Sequence, residues 1–201
     1  MIQPILQPII QPVKIALVCL VLLSGCIIQK PDTRYYTLAV DNETAGSPHS
    51  GLRLGIGPIE IPDLIDRREV VIRQNDNRVE ILPFDLWGGS LSEDIRNTLA
   101  SNIAKHIGTD QLIFYPFHGA KIDRQIRVTI LELSGIPGKE AQLNALWSVE
   151  QTGNKAQAKT NRSHYTVALG ENQISAVVAG YSKLLAMLAE DIALHISKRR
   201  D

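Results

Sequence analysis

The side chains that could carry chemistry in this chain are a cysteine near the amino terminus, one serine cluster and scattered histidines. Cys26 closes an apolar run, Ile15 to Leu23, that follows Lys14, the only charged side chain in the first 25 residues. A basic residue, nine apolar residues and then small residues form the three-part layout of an export signal. A membrane-spanning helix needs about 20 apolar residues, so a permanent span is disfavoured. The pattern predicts export, with a thiol at the cleavage point.

The residues around the predicted cleavage point indicate what happens to that thiol. Ser24 and Gly25 followed at once by Cys26 resemble the bacterial lipoprotein box. The resemblance implies that the chain is cut between Gly25 and Cys26, that Cys26 carries a diacylglyceryl group and that its new amino terminus is acylated. Each buried methylene contributes about 0.8 kcal/mol, so several acyl chains anchor a protein almost permanently. The alternative is that Cys26 is one more apolar residue of an uncut helix.

The rest of the chain is predicted to be one domain without a cysteine-based site. Residues 1–25 would be the signal peptide, 26–33 a lipidated tether and 34–201 a domain that buries roughly 70% of its unfolded surface. The whole chain has 21 basic and 21 acidic side chains, so it has no strongly basic face for nucleic acid. Because Cys19 leaves with the signal and Cys26 carries lipid, neither a disulfide nor a cysteine metal site is expected.

The remaining candidates for catalysis have simpler interpretations. The segment Gly88 to Ser92 lacks the Gly-x-Ser-x-Gly pattern of a nucleophile elbow. Ser90 lies three residues before Glu93, which is the spacing of a helix capping box, so a cap is favoured over a nucleophile. The five histidines include no His-x-x-x-His pair. No catalytic residue, metal ligand or cofactor site is predicted.

Hydrophobic periodicity predicts the elements that would position any surface contacts. Apolar residues at three-and-four spacing predict two helices, one between Ser90 and Gly108 and one over Ile174 to Ile192. Strands are predicted at Tyr35–Leu38, Leu52–Ile61, Val70–Gln74, Arg78–Leu82, Gln111–Phe114, Ile122–Leu133, Leu143–Val149 and Ser163–Leu169. A phase slip within Ile122–Leu133 indicates a bulge or a strand covered on both sides. These elements predict an α+β fold: a single two-layer domain, a largely antiparallel sheet with both helices packed on one face.

Two features are candidate partner contacts. Trp87 ends an apolar segment just before the first helix, where an exposed ring could anchor a partner. The alternative, which the sequence favours, is a tryptophan that closes the core below the helix. A charged turn that includes Asp63 and Arg67 is either a solvated loop or a docking loop.

Several segments, taken in order, resemble one known family. These are the lipoprotein box, Tyr35-Tyr36-Thr37-Leu38, Ile59-Glu60-Ile61-Pro62-Asp63-Leu64, Leu86-Trp87, Arg96-Asn97-Thr98-Leu99, Ile126 to Gly135 and Leu146-Trp147. Their order and spacing are similar to those of the PqiC (YmbA) family of ABC-transport auxiliary lipoproteins. The resemblance covers nearly all of the chain after Cys26.

The resemblance implies a location, a function and partners. It implies an outer-membrane lipoprotein that faces the periplasm and works with an MCE-domain protein of a Pqi-type system, which moves lipids between the two membranes and supports envelope integrity. It also implies a possible ring of identical copies. Ile27 follows the lipidated cysteine, whereas aspartate at that position resembles the inner-membrane retention signal of enteric bacteria. The outer membrane is therefore expected.

Three hypotheses of function follow. The first is a non-enzymatic lipoprotein that docks a lipid-transport assembly to the outer membrane. The second is a periplasmic lipid carrier with an apolar pocket between sheet and helices. The third and weakest is a periplasmic hydrolase, which would need Ser90 as a nucleophile instead of a cap.

Overall fold

The computed structural model describes residues 31–41, 51–153 and 159–198. Residues 33–201 cluster as one unit, separate from residues 1–32. The predicted signal peptide, the cleavage between Gly25 and Cys26 and the lipid attachment at Cys26 lie outside the described residues. They stay predictions.

Every strand and helix expected from hydrophobic periodicity is present, with ends that differ by a few residues. In chain order the elements are β1 Arg34–Tyr36, β2 Leu54–Glu60, β3 Glu69–Asn75, β4 Arg78–Trp87, α1 Leu91–Ile107, β5 Leu112–Phe114, β6 Arg124–Ile136, β7 Glu140–Gln151, β8 Asn161–Ala168 and α2 Ile174–Lys198. Runs of strands precede each helix, and strands and helices do not alternate strictly along the chain. This order confirms the α+β class.

The strands divide between two sheets. One has the order β5-β2-β6-β7-β8 and the other the order β1-β4-β3. The long ladders β3–β4, β6–β7 and β7–β8 are antiparallel, as expected, whereas β1–β4, β2–β5 and β2–β6 are parallel. Two parallel strands must be joined by a long crossover connection. Between β2 and its parallel neighbours β5 and β6, the chain passes through the β3–β4 hairpin and α1. The sheets are therefore mixed, and local patterns did not reveal these crossover pairings.

The first helix begins and ends where the sequence indicates. Ser90 has an extended backbone, and its Oγ accepts a hydrogen bond of 3.4 Å from the amide of Glu93. Gly108 adopts a left-handed conformation with φ of 71°, and its amide donates to the carbonyl of Ala104 at 2.8 Å. A residue with a Cβ adopts this conformation less readily, so the glycine ends the helix.

The core lies between the five-stranded sheet and the two helices. Helix α1 packs against β2, helix α2 packs against β6, β7 and β8, and the helices contact each other. The predicted apolar stripes point inward, and the largest fully buried side chains include Leu91, Ile95, Leu99, Ile103, Leu143, Leu184, Leu185, Leu188 and Ile192. Fully burying each such side chain contributes about 1.5 to 3 kcal/mol. The two-layer arrangement follows from these two stripes.

Strand β6 contains the bulge that the phase slip indicates. Ile130 pairs with Ala145 and Glu132 with Asn144, so Leu131 is an extra residue with no partner on β7. The bulge directs Leu131 outward, where it is 43% exposed, and returns Leu133 to the core. Bulges commonly re-aim a side chain in this way.

Candidate functional site

The structure places Trp87 in the core and does not support an exposed anchor. Its side chain is 4% exposed within the same buried cluster as Leu91. Its backbone amide donates to the carbonyl of Arg68 at 2.8 Å and so fixes the end of the charged loop. The expectation of an exposed Trp87 ring is wrong because the residue is the last of β4 and turns inward. The core interpretation is the correct one.

The charged loop between β2 and β3 is exposed and locally ordered. Asp63 and Arg67 are both exposed, and the amides of Ile65 and Asp66 donate to the carbonyl of Pro62 at 3.0 and 3.2 Å. Arg67 lies 3.7 Å from the carboxylate of Glu69, an ion pair that solvent screens. Asp63 and Arg67 are therefore both exposed to solvent on the same loop.

The same loop forms one wall of a concave surface that we call the bulge groove. Its volume is about 110 Å³, and it is lined by Pro62, Leu64, Ile65, Val71, Ile72, Arg73, Val79, Leu131, Glu132, Leu133 and Ser134. Leu64, Val79 and Leu131 are each at least 40% exposed on its rim. An engineered apolar cavity of about 150 Å³ accepts benzene, so this groove has room for one small apolar group. It is too small for a lipid acyl chain.

Charged side chains form the polar part of the bulge groove. The guanidinium of Arg73 donates to the carboxylate of Glu132 at 2.9 Å and to the carbonyl of Asp76 at 3.1 Å. Ser134 donates to the same Glu132 carboxylate at 2.8 Å. The Arg73–Glu132 pair joins the three-stranded sheet to β6, so it fixes the distance between the two walls.

A second polar cluster fastens β1 to β4 within the three-stranded sheet. Asp85 on β4 is 5% exposed and accepts hydrogen bonds from Arg34 at 2.9 Å and from the hydroxyl of Tyr36 at 2.7 Å. Asp85, mainly through its hydrogen bond, raises the pKa of Arg34, and burial raises the pKa of Tyr36. Both shifts favour the protonated donors, so the cluster keeps its hydrogen bonds over a wide pH range.

The third cluster contains the residue types of a hydrolase but not the arrangement. Ser163 receives a hydrogen bond of 3.0 Å from the indole of Trp147 and donates to Asp191 at 3.2 Å. The ring of His195 packs edge-on against Trp147, with the ring centres 5.3 Å apart, and Tyr165 also donates to Asp191. A catalytic serine would donate to the histidine, whereas here Ser163 donates directly to the carboxylate. The cluster joins β7, β8 and α2.

Ser90, the other serine considered for catalysis, is occupied as a helix cap. Besides accepting from the amide of Glu93, its Oγ lies 2.8 Å from the Oγ of Ser92. The described residues include no group of three or more side chains suited to hold a metal ion. Within the same residues, no helix is both long and apolar enough to span a bilayer.

Comparison with known proteins connects this geometry to a family. The family model of the ABC-type transport auxiliary lipoprotein component matches residues 36–193. The chain belongs to this family. The match runs from the last residue of β1 to near the end of α2, so it includes the bulge groove and, of the Asp85 cluster, Tyr36 and Asp85 but not Arg34. The chain is thus an auxiliary lipoprotein of ABC-type transport, and the resemblance to the PqiC family is confirmed.

Two relatives carry a more specific name. The intermembrane transport lipoprotein PqiC of Escherichia coli K12 is 24% identical over 173 residues, which are 85% of this chain and 91% of the relative. The protein of that name from Shigella flexneri matches with the same values. The names describe transport components and do not describe an enzyme.

Solved structures show the same fold. The crystal structure of an uncharacterized protein superposes with a TM-score of 0.65 at 20% identity, over 82% of this chain and 99% of that one. A protein from Xanthomonas campestris superposes with a TM-score of 0.65 at 8% identity, over 80% of this chain and 93% of that one. At such low identity the likeness establishes the fold alone.

The sequence indicated part of the groove and missed the rest. Asp63 and Arg67 were candidates on a loop that is either solvated or a docking loop, and this loop forms one wall of the groove. Their contact with a partner stays a prediction. Leu64 and Val79 were not singled out, because a lone exposed apolar residue has no distinctive pattern. The phase slip in β6 was the one signal that could have identified Leu131 as an outward residue.

Proposed function

We propose that this protein is an outer-membrane lipoprotein, anchored through Cys26 and facing the periplasm, that docks an MCE-domain protein of a Pqi-type lipid transport system. The family supports the transport role, and the pattern of Ser24, Gly25 and Cys26 supports the anchor. Ile27, in place of aspartate, supports the outer membrane. In this role the protein holds the end of the transport assembly at its target membrane and so supports envelope integrity.

The bulge groove is the surface that we propose for docking, with an apolar side chain of the MCE-domain protein as its occupant. The observation that carries this proposal is that the bulge turns Leu131 outward beside Leu64 and Val79. A volume of about 110 Å³ suits one partner side chain, and Asp63 and Arg67 lie on the loop beside it. An apolar centre surrounded by polar residues is the usual form of an interface hot spot.

Cys26→Ser tests the anchor. We expect the variant to fold but to keep residues 1–25, to lack acyl chains and to be absent from the outer-membrane fraction. Mass spectrometry of the purified protein and separation of the membranes measure these three properties. Normal acylation and outer-membrane fractionation of the variant would refute the anchor.

Leu131→Asp tests the docking surface. A carboxylate at the rim of the groove should abolish crosslinking to the MCE-domain protein, because the partner side chain would have to bury against a charge. Leu194→Asp is the matched control, since Leu194 is 50% exposed on α2 and far along the chain from the groove. Crosslinking that is equal in the two variants would rule out the groove, whereas no crosslinking in the wild type would rule out the partner.

Copies of the protein are also proposed to form a ring, as the family resemblance implies. Light scattering of the acylated protein in detergent measures the number of copies, and a monomer at all concentrations would exclude a ring. The carrier alternative needs a lipid between sheet and helices, where Leu143, Leu184 and Leu188 are fully buried. A lipid other than the Cys26 anchor in native mass spectra would favour the carrier.

A further inference from the structure

Two exposed aromatic side chains lie beside each other on the neighbouring strands β1 and β4. Arg34 pairs with Asp85, so Tyr35 and Phe84, their chain neighbours, lie close together although β4 shifts register against β3 between Leu82 and Leu86. Tyr35 is 61% exposed and Phe84 is 40% exposed. The three β4 residues that pair with β1, namely Asp85, Leu86 and Trp87, are buried. We call Tyr35 and Phe84 the aromatic pair.

The aromatic pair is close to the proposed lipid anchor along the chain. Tyr35 lies nine positions after Cys26 in the sequence. Even a fully extended chain of that length spans at most about 32 Å. A folded domain of this size has a radius of gyration of about 15 Å, so the tether is no longer than the domain is wide. The chain length therefore allows the aromatic pair to reach the surface of a bilayer that holds the proposed anchor.

The pair has the chemistry of residues that lie at a membrane interface. Tyrosine and other aromatic side chains concentrate at the level of the lipid headgroups, where an apolar ring is buried and a polar tip stays hydrated. Arg34, the neighbouring cation, is paired with Asp85 at 2.9 Å. Arg34 therefore keeps its ion-pair partner on the protein itself, beside the exposed Tyr35.

We propose that Tyr35 and Phe84 contact the outer-membrane bilayer interface and thereby set the orientation of the domain on the membrane. The proposal rests on the lipid anchor at Cys26 proposed above. A lipid anchor on a tether limits the distance between the domain and the bilayer but lets the domain rotate. A second contact with the bilayer restricts that rotation. The part of the β1–β4 ladder that carries Tyr35 and Phe84 then faces the bilayer, and the Asp85 cluster joins β1 to β4.

Lipid-borne quenchers test the contact in the full-length, processed protein. Tyr35→Cys, Phe84→Cys and the control Leu194→Cys each provide one free thiol, since Cys19 is removed and Cys26 is acylated. Each variant is labelled with an environment-sensitive fluorophore and reconstituted into phosphatidylethanolamine and phosphatidylglycerol vesicles with nitroxide-labelled headgroups. We expect the labels at positions 35 and 84 to lose most of their emission while the label at 194 keeps most of its own. Equal quenching at all three positions, or none, would overturn the proposal.

Two further readouts separate the possible failures. Flotation with vesicles and the mass of the acylated peptide show whether the anchor exists; if the protein neither floats nor carries lipid, the anchor fails and the orientation proposal falls with it. A label at position 35 that shifts its emission without lipid quenching would place the pair against a second copy and would also refute bilayer contact. Because both residues are exposed, the urea midpoints of the labelled variants should match the wild type.

Discussion

Asp85 and Arg34 form an ion pair of 2.9 Å between the first strand and the strand beside it, although 51 residues separate them in the sequence. Asp85 is buried, whereas the Arg34 side chain is 63% exposed. The pair therefore lies at the boundary between the core and the end of the tether. It fastens the strand that follows the proposed lipid anchor to the rest of the domain.

Removal of the Asp85 carboxylate should lower the stability of the fold. Asp85→Asn should lower the free energy of unfolding by about 1 to 3 kcal/mol, because the Arg34 guanidinium and the Tyr36 hydroxyl lose a charged acceptor. Urea denaturation measures this change. Tyr36→Phe is the matched control: it removes one hydrogen bond, keeps the ring and should cost less than Asp85→Asn. A cost that is larger for Tyr36→Phe would contradict the central role of Asp85.

The pair of Arg53 and Asp123 predicts a loss of stability in acid. The guanidinium lies 2.6 Å from the carboxylate, and the Arg53 amide donates to it at 2.9 Å. These hydrogen bonds lower the pKa of Asp123 from 3.8 to about 2. Because the folded pKa is the lower one, the contribution is complete above about pH 4 and is lost as the pH falls towards about 2.

The measurement is the urea midpoint over that pH range in the wild type and in Asp123→Asn. The midpoint of the variant should start lower and should fall less between about pH 4 and about pH 2. Parallel curves for the two proteins would show that Asp123 does not contribute to the acid transition.

Two tyrosines predict opposite effects of removing a hydroxyl. Tyr181 is 3% exposed, and its hydroxyl has no hydrogen-bond partner among the described residues. Tyr165 donates to Asp191. Tyr181→Phe should therefore leave the urea midpoint unchanged or raise it, whereas Tyr165→Phe should lower the free energy of unfolding by about 0.5 to 1.5 kcal/mol.

The same two tyrosines should make the stability of the fold depend on pH in the alkaline range. Burial raises the pKa of Tyr165 and of Tyr181, so the neutral phenols favour the folded state. Their contribution is complete below the unfolded pKa of about 10 and is lost as the pH rises above it. The midpoint of Tyr181→Phe should fall less than that of the wild type between neutral pH and about pH 11. An equal fall would refute the assignment.

Gly135 has no side chain and so lets α2 approach β6 closely. A Cβ at this position would lie 2.5 Å from Cγ1 of Val177, and the β-branched side chain has few rotamers with which to move away. Gly135→Ala should cost about 1 to 3 kcal/mol of stability by overpacking. Gly89→Ala is the control, because nothing lies within 4 Å of its added Cβ. Thermal denaturation compares the two, and equal melting temperatures would contradict the close packing.

The sequence by itself determined the local elements. The Ser90 cap and Gly108 defined α1, and apolar spacing defined the buried stripe of α2. The phase slip in β6 indicated a bulge or a strand covered on both sides, and the structure shows a bulge at Leu131. Each of these signals lies within one element, where the period of a helix or strand and the chemistry of its ends are set by neighbouring residues. The export and acylation pattern at Cys26 is equally local, and its consequences remain predictions.

Only the tertiary structure decided which distant residues meet. The division into two sheets, the parallel pairings, the burial of Trp87 and the Asp85–Arg34 contact depend on crossovers that no local pattern encodes. The bulge groove likewise combines a loop, a hairpin and β6, and the aromatic pair combines strands that are far apart in the chain. The sequence determines such contacts only through the packing of the whole core, because long-range pairs form where burial of the common core is most favourable.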